Sequence, residues 1–211
     1  KKLLYSYDTL GRTTGLWSGS KTDATLLASW TYDTAAKGQP GTATRYVGGK
    51  SGKAYSNEIV AYDDLYEVFR RAVNLPTDDP LVAAGVPSRL RFETTHYLDG
   101  SVNYSTEPAA GGLAEEALSP TYNSLGMPRT LTGTTGLVLD TQYSPLGDTQ
   151  QVTLGIDSTS TKKVYVTNSY EPGTRRLTRQ SVKDTTNAWM ASDLAYTYDH
   201  AGNVRSTSDT A

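Results

Sequence analysis

A tyrosine followed three or four residues later by a glycine recurs along the whole chain, and no other feature limits the available folds as strongly. The clear copies are YDTLG from Tyr7 to Gly11, YLDG from Tyr97 to Gly100, YNSLG from Tyr122 to Gly126, YSPLG from Tyr143 to Gly147, YEPG from Tyr170 to Gly173 and YDHAG from Tyr198 to Gly202. Two altered copies complete the set. YDTAAKG at Tyr32 carries two extra residues before Gly38, and YDDLYEV at Tyr62 has Tyr66 where glycine is expected. Successive anchors lie 21 to 35 residues apart, and such variable units favour hairpins with tolerant loops over a rigid solenoid coil.

Each unit has the same internal order. Before the anchor lies a short β-prone run, such as LLYSY, LASWTY, RLRFETTHY, GLVLDTQY, VYVTNSY or DLAYTY. In several of these, bulky apolar residues alternate with polar ones, the pattern of a strand with one covered face. After the anchor come turn residues. Asp8, Asp33, Asp63, Asn123 and Asp199 can accept hydrogen bonds from backbone amides two residues on, and the glycine supplies a positive φ at little cost. Pro145 and Pro172 preset a turn's φ. A second strand-like run follows, for example RTTGLW, SVNYST, PRTLTG or NVRSTS. The unit is therefore a β-hairpin, and the expected fold is all-β: about eight hairpins over residues 1–211 in one curved or spiralling antiparallel sheet. One tyrosine per unit predicts a ladder of rings on neighbouring hairpins, and 15 Tyr against 2 Phe predicts that most hydroxyls find a polar partner or water. The longest spacer, residues 74–90, reads as an inserted loop with one helical turn: Asp79 as N-cap, Pro80 at N1 and Gly85 as the stop.

Composition agrees and excludes several classes. Threonine (31), glycine (19) and tyrosine are abundant, which favours strands and turns. A net charge of −2 from 20 basic and 22 acidic residues, dispersed along the chain, gives no footprint for nucleic acid or an anionic membrane. With no cysteine there is no disulfide frame, thiolate metal site or thiol nucleophile. No apolar run approaches the ~20 residues that span a bilayer. The sequence opens KKLL without an initiator methionine and reads as a piece of something longer, with long terminal strand edges that invite self-association.

The phrase YxYDxxGR, its recurrence, and the stretches EPAAGGLAEEAL, SPLGDTQQVTLG and VTNSYEPGTRRLTR resemble the YD-repeat, or Rhs, family, over essentially the whole chain. The expected relatives are large bacterial proteins, and an actinobacterial origin is expected. The resemblance implies a sheet ribbon spiralling into a hollow shell that, in toxin members, encloses a C-terminal toxic domain. Eight units are too few to close such a shell, and the family's autocleaving element and toxin domain have no counterpart in this sequence.

Chemistry-bearing residues are few. His96 and His200 both flank an anchor and read as ordinary strand and turn residues. The aspartates that follow anchor tyrosines occur singly per unit and read as turn caps, not calcium ligands. Asp63-Asp64 and Asp78-Asp79 read as solvated caps, not an acid–base pair. VGGKSGK, residues 47–53, lacks phosphate-loop spacing and reads as a hairpin tip. Asn103-Tyr104-Ser105 is a formal glycosylation sequon in strand sequence. Trp17, Trp30 and Trp189 read as packing residues, with sugar stacking as the alternative. No catalytic, cofactor or metal residue is expected. Arg12, with Arg129, Arg175 and Arg205 also following a glycine, is expected to pair with an aspartate of a neighbouring unit. The sequence thus points to a structural, non-enzymatic repeat segment of a secreted or surface protein, whose partners are the rest of its polypeptide and an enclosed cargo. The alternative is an adhesive or glycan-binding surface on the same sheet.

Overall fold

In a computed structural model, residues 2–156, 159, 161–185 and 190–211 are described. The chain is all-β, and it divides into two compact units, residues 1–117 and 118–211. The first contains β1 (Leu3–Tyr7), β2 (Thr13–Ser18), β3 (Leu26–Tyr32), β4 (Pro40–Val47), β5 (Lys53–Tyr62), β6 (Val68–Asn74), β7 (Arg89–His96) and β8 (Val102–Glu107). The second contains β9 (Glu116–Tyr122, begun two residues before the division), β10 (Pro128–Thr132), β11 (Gly136–Tyr143), β12 (Thr149–Gly155), β13 (Lys163–Tyr170), β14 (Leu177–Asp184), β15 (Met190–Tyr198) and β16 (Val204–Asp209). Within each unit the strands lie in chain order and every neighbouring pair is antiparallel. The pairs β1–β2, β3–β4 and so on to β15–β16 are the eight hairpins read from the repeated phrase. No helix among the described residues is long and apolar enough to cross a membrane.

A single layer of strands cannot bury side chains deeply on either face. Among the described residues the buried hydrophobic ones are Leu26 and Ala72, at 6% and 1% exposed, and most other strand residues are half-buried. The described residues of the two units thus form no conventional core, and bonds between successive hairpins must carry much of the order.

The loop after β6 holds the expected helical turn, α1 (Pro80–Ala83). The Asp79 side chain caps it by accepting from the Leu81 amide at 2.9 Å. Gly85, at φ 94°, closes it: its amide donates to the Val82 carbonyl and that of Val86 to the Leu81 carbonyl, the paired bonds of a Schellman stop. Tyr55 ties the turn to β5 by donating to Asp79 Oδ2 at 2.7 Å. Between Pro108 and β9, Gly111-Gly112 make a two-residue turn at φ 59° and 88°, with Ala110 and Leu113 exchanging backbone bonds across it.

Candidate functional site at the turn edge

The repeated residues gather at the turns that join the two strands of each hairpin. In the first, the Asp8 amide donates to the Arg12 carbonyl and the Gly11 amide to the Asp8 carbonyl. Asp8 Oδ1 accepts from the amides of Leu10 and Arg12, both at 2.9 Å. This is a three-residue loop, a type I turn followed by a left-handed residue. Asp63, Asn123, Ser144 and Asp199 build the same turn in their own hairpins. Gly11, Gly126, Gly147 and Gly202 occupy its left-handed position, at φ 75° to 92°. At Tyr66 the backbone keeps that conformation without glycine, at φ 63°.

In front of every turn the register slips at the anchor, as between Ser6 and Tyr7 or Thr197 and Tyr198. Such bulges re-aim a side chain, and the anchor side chains reach back to the preceding hairpin. Tyr32 donates to the Thr13 carbonyl at 2.9 Å, Tyr62 to that of Pro40 at 2.9 Å, Tyr170 to that of Thr149 at 2.9 Å and Tyr198 to that of Leu177 at 2.7 Å. Tyr143 donates likewise to Pro128. In all five the acceptor is the first residue of the preceding hairpin's second strand, the one paired with that hairpin's own anchor. The expected ladder of rings is therefore a set of hydroxyl latches. The ring stack that is seen, Tyr5 on Tyr7 at 6.5 Å, lies within one strand.

The fourth hairpin departs from the sequence reading. Tyr97 is not its anchor: the Tyr97 amide donates to the Ser101 carbonyl and its carbonyl accepts from Gly100, the role of Asp8, and the residue is 48% exposed. The anchor position, paired with Val102 after the bulge, belongs to His96. The tetrapeptide YLDG has one residue fewer than YDTLG between its tyrosine and its glycine, so aligning on tyrosine shifts the unit by one place. Asp99 caps from inside the turn, accepting from the Ser101 amide at 2.9 Å.

The residue after the left-handed position forms a second link, directed to the following hairpin. Arg12 sits 4.4 Å over the Tyr32 ring and donates to both oxygens of Asp33, at 3.2 and 2.6 Å, while its Nε donates to Asp8 at 2.7 Å. The Asp33 hydrogen bonds, then those of Asp8, raise the Arg12 pKa further. Arg12 and then the Gly38 amide hold the Asp33 carboxyl below its usual range. Partial burial would raise the Asp8 pKa, but its bonds from Arg12 and the turn amides outweigh that and lower it. In the seventh hairpin the equivalent of Arg12 is Arg176, not Arg175, because this turn has an extra residue. Arg176 lies 5.6 Å from the Tyr198 ring and donates to the Asp199 carbonyl at 3.0 Å. Arg175, at φ 59°, instead reaches back to Asp148, whose pKa it lowers. Arg129 pairs with Asp140 across β10 and β11 at 2.9 Å. In the third hairpin the linking position is Glu67. Its Oε2 lies 3.1 Å from His96 Nδ1, yet neither atom achieves hydrogen-bond geometry.

The remaining candidates stay apart. His200 is a turn residue, and Asp64 is exposed beside the Asp63 cap. Asp78 faces Lys53 at 3.3 Å while Asp79 caps α1. The 47–53 segment is the tip between β4 and β5, and Gly49 packs so closely on the 23–24 carbonyls that a Cβ would lie 2.6 Å from them. Asn103 to Ser105 lie in β8. Trp17 folds over Gly15, and Trp30 lines a shallow hollow with Ala28, Ala43 and Tyr55. Trp189 lies outside the described residues. Away from the turns, Arg179 pairs with Asp193, which is 3% exposed and whose pKa Arg179 lowers to about 2. Asp63, Glu67 and His96, by contrast, bring three potential ligand atoms within 4.8 Å of one another.

No family profile and no curated protein sequence matches the chain. Solved structures do. The Photorhabdus luminescens Tc holotoxin pore, in a TccC3 point-mutant form, aligns over 99% of this chain at TM-score 0.71 and 18% identity. A TcdB2–TccC3–Cdc42 complex and a TcdB2–TccC3 complex align over the same share at TM-scores of 0.62 and 0.61 and identities of 16% and 17%. The chain spans only 10% to 12% of the length of those chains. At that identity the likeness is one of architecture, and the repeated hairpins of this chain have the YD-repeat fold of Tc toxin components.

Proposed function

We propose that the chain is a wall segment of a large Rhs-type protein, contributing to a shell that encloses a C-terminal toxin or other cargo polypeptide and acts outside the cell or at its surface. The observation that carries this reading is the alignment of 99% of the chain with a Tc holotoxin component. The construction of the hairpins supports it as well. Tyrosine latches and turn-edge ion pairs hold successive hairpins without a deep core, which suits a thin wall with half-polar faces. The role is structural and not catalytic: the turn aspartates Asp8, Asp63 and Asp199 are occupied with capping amides. Its partners are the adjoining hairpins of the parent polypeptide and the cargo behind them. The test is to express the full parent with its C-terminal region and treat it with protease. Protection of that region is expected, and digestion at the rate of the isolated region would overturn the proposal.

A further inference from the structure

We infer that Asp63, Glu67 and His96 form a site for one divalent transition ion of the zinc class, clamped between the third and fourth hairpins. The first observation is a charge mismatch. In other turns the capping and linking residues are complementary or neutral: Asp8 with Arg12, Ser144 with Asp148, Asp199 with Asn203, Asn123 with Met127. In the third hairpin both are carboxylates, Asp63 and Glu67, and the side chain facing them is an imidazole.

The second observation is that the facing atoms are shut off from water and unpaired. His96 Nδ1 and Glu67 Oε2 are solvent-inaccessible and lack any hydrogen bond, although they lie 3.1 Å apart. No proton is shared between them in hydrogen-bond geometry, and a cation bound by both satisfies the two atoms together. Zinc bonds of about 2.0–2.2 Å in a tetrahedron set ligand atoms roughly 3.3 Å apart, close to this separation. Asp63 supplies the third ligand. Its Oδ1 is held by the Leu65 and Glu67 amides, which orients the carboxylate and leaves Oδ2 for the ion. One nitrogen and two carboxylates suit zinc-class ions, while calcium and magnesium favour all-oxygen shells. A shallow hollow bounded by Asp64, Leu65, Tyr97 and Leu98 opens beside the cluster and gives water access to the remaining coordination position.

The site also stands where His96 replaces the anchor tyrosine, so the ion takes over the joining role of a latch. The test is calorimetric titration of the untagged chain with ZnCl2, with His96→Tyr, Glu67→Gln and His200→Ala in parallel. The wild type and His200→Ala are expected to bind one Zn²⁺ per chain, with a rise in melting midpoint that EDTA reverses. Glu67→Gln keeps the side chain's shape and His96→Tyr restores the repeat's usual residue; each is expected to bind at least tenfold more weakly. Unchanged affinity in both variants, no saturable binding up to millimolar Zn²⁺, or equal affinity for Ca²⁺ would each overturn the inference.

Discussion

Removing one hydroxyl at Tyr32 isolates the worth of a latch. Tyr32→Phe keeps the ring beneath Arg12, 4.4 Å away, and deletes only the 2.9 Å bond to the Thr13 carbonyl. A part-buried hydrogen bond contributes roughly 0.5–1.5 kcal/mol net, so a loss of about 1 kcal/mol is expected. In a chain of this size that lowers a melting midpoint by about 2–4 °C. Tyr170→Phe is expected to cost about half as much, because the Thr149 carbonyl keeps a second donor, the Asn168 side-chain amide at 3.0 Å. Tyr97→Phe is expected to change stability by less than about 0.5 kcal/mol, since the residue is exposed in the turn. Urea and thermal denaturation followed by circular dichroism give the three values. Hydrogen exchange adds the location, with faster exchange expected in β2 and β3 of the Tyr32 variant. Equal losses for Tyr97→Phe and Tyr32→Phe, or none for Tyr32→Phe, would refute the assignment of latches and the place of His96 among the anchors.

Other perturbations read other parts of the turn edge and the sheet. Gly126→Ala is expected to cost about 1–2 kcal/mol through the backbone alone, since nothing lies within 4 Å of a Cβ there and φ is 75°. Tyr66→Asn, at φ 63°, is expected to raise the melting midpoint, because asparagine tolerates the left-handed region better than tyrosine does. The Asp193 pKa is lowered from 3.8 to about 2, so its ion pair stabilises the fold fully above about pH 4 and is lost as pH falls toward 2. Asp193→Asn should therefore melt lower at neutral pH and lose part of the acid dependence between pH 4 and 2; an unchanged acid profile would exclude that role.

Much of the fold is legible in the sequence because the repeat states each hairpin several times. Asp8, Asp63, Asn123 and Asp199 identify their turns by local backbone chemistry, which depends on no distant residue, and Asp79, Pro80 and Gly85 do the same for α1. What a tyrosine bonds to is not local. The acceptor of Tyr198 lies 21 residues away and is a backbone carbonyl, which carries no side-chain signature. The excess of tyrosine over phenylalanine signals a hydroxyl role without naming the partner. Aligning on tyrosine also fails where tyrosine moves into the turn, as at Tyr97; aligning on the glycine recovers His96. The trio of Asp63, Glu67 and His96 joins residues of two hairpins, and only with that register known does the 33-residue separation between Asp63 and His96 become a contact.

The two signs of turn-edge link suggest that a hairpin requires a bond between adjacent turns and not a particular residue at either end. Arg12 bridges forward to Asp33, at φ 62°; Asp148 bridges forward to Arg175, at φ 59°. The charges of the second pair are the reverse of the first, and both distal residues share the left-handed conformation, although Asp33 directly follows its anchor while Arg175 lies five residues after Tyr170. The capping residue follows the sign. Asp8 accompanies the arginine, whereas Ser144 accompanies the aspartate and donates to it at 3.0 Å. Arg12→Asp alone should lower the melting midpoint, because it places a carboxylate between Asp8 and Asp33. Adding Asp33→Arg and Asp8→Ser reverses the charges of the link on the pattern of Ser144, Asp148 and Arg175, with loss of the Asp33 cap on the Gly38 amide, and the midpoint should return part of the way to that of the wild type. One molar salt should shrink the difference between the single and triple variants in part, since these charges are partly solvent-accessible. A triple variant no more stable than Arg12→Asp would mean that the linking position depends on arginine itself, through its stacking on Tyr32, and that charge pairing between turns is secondary.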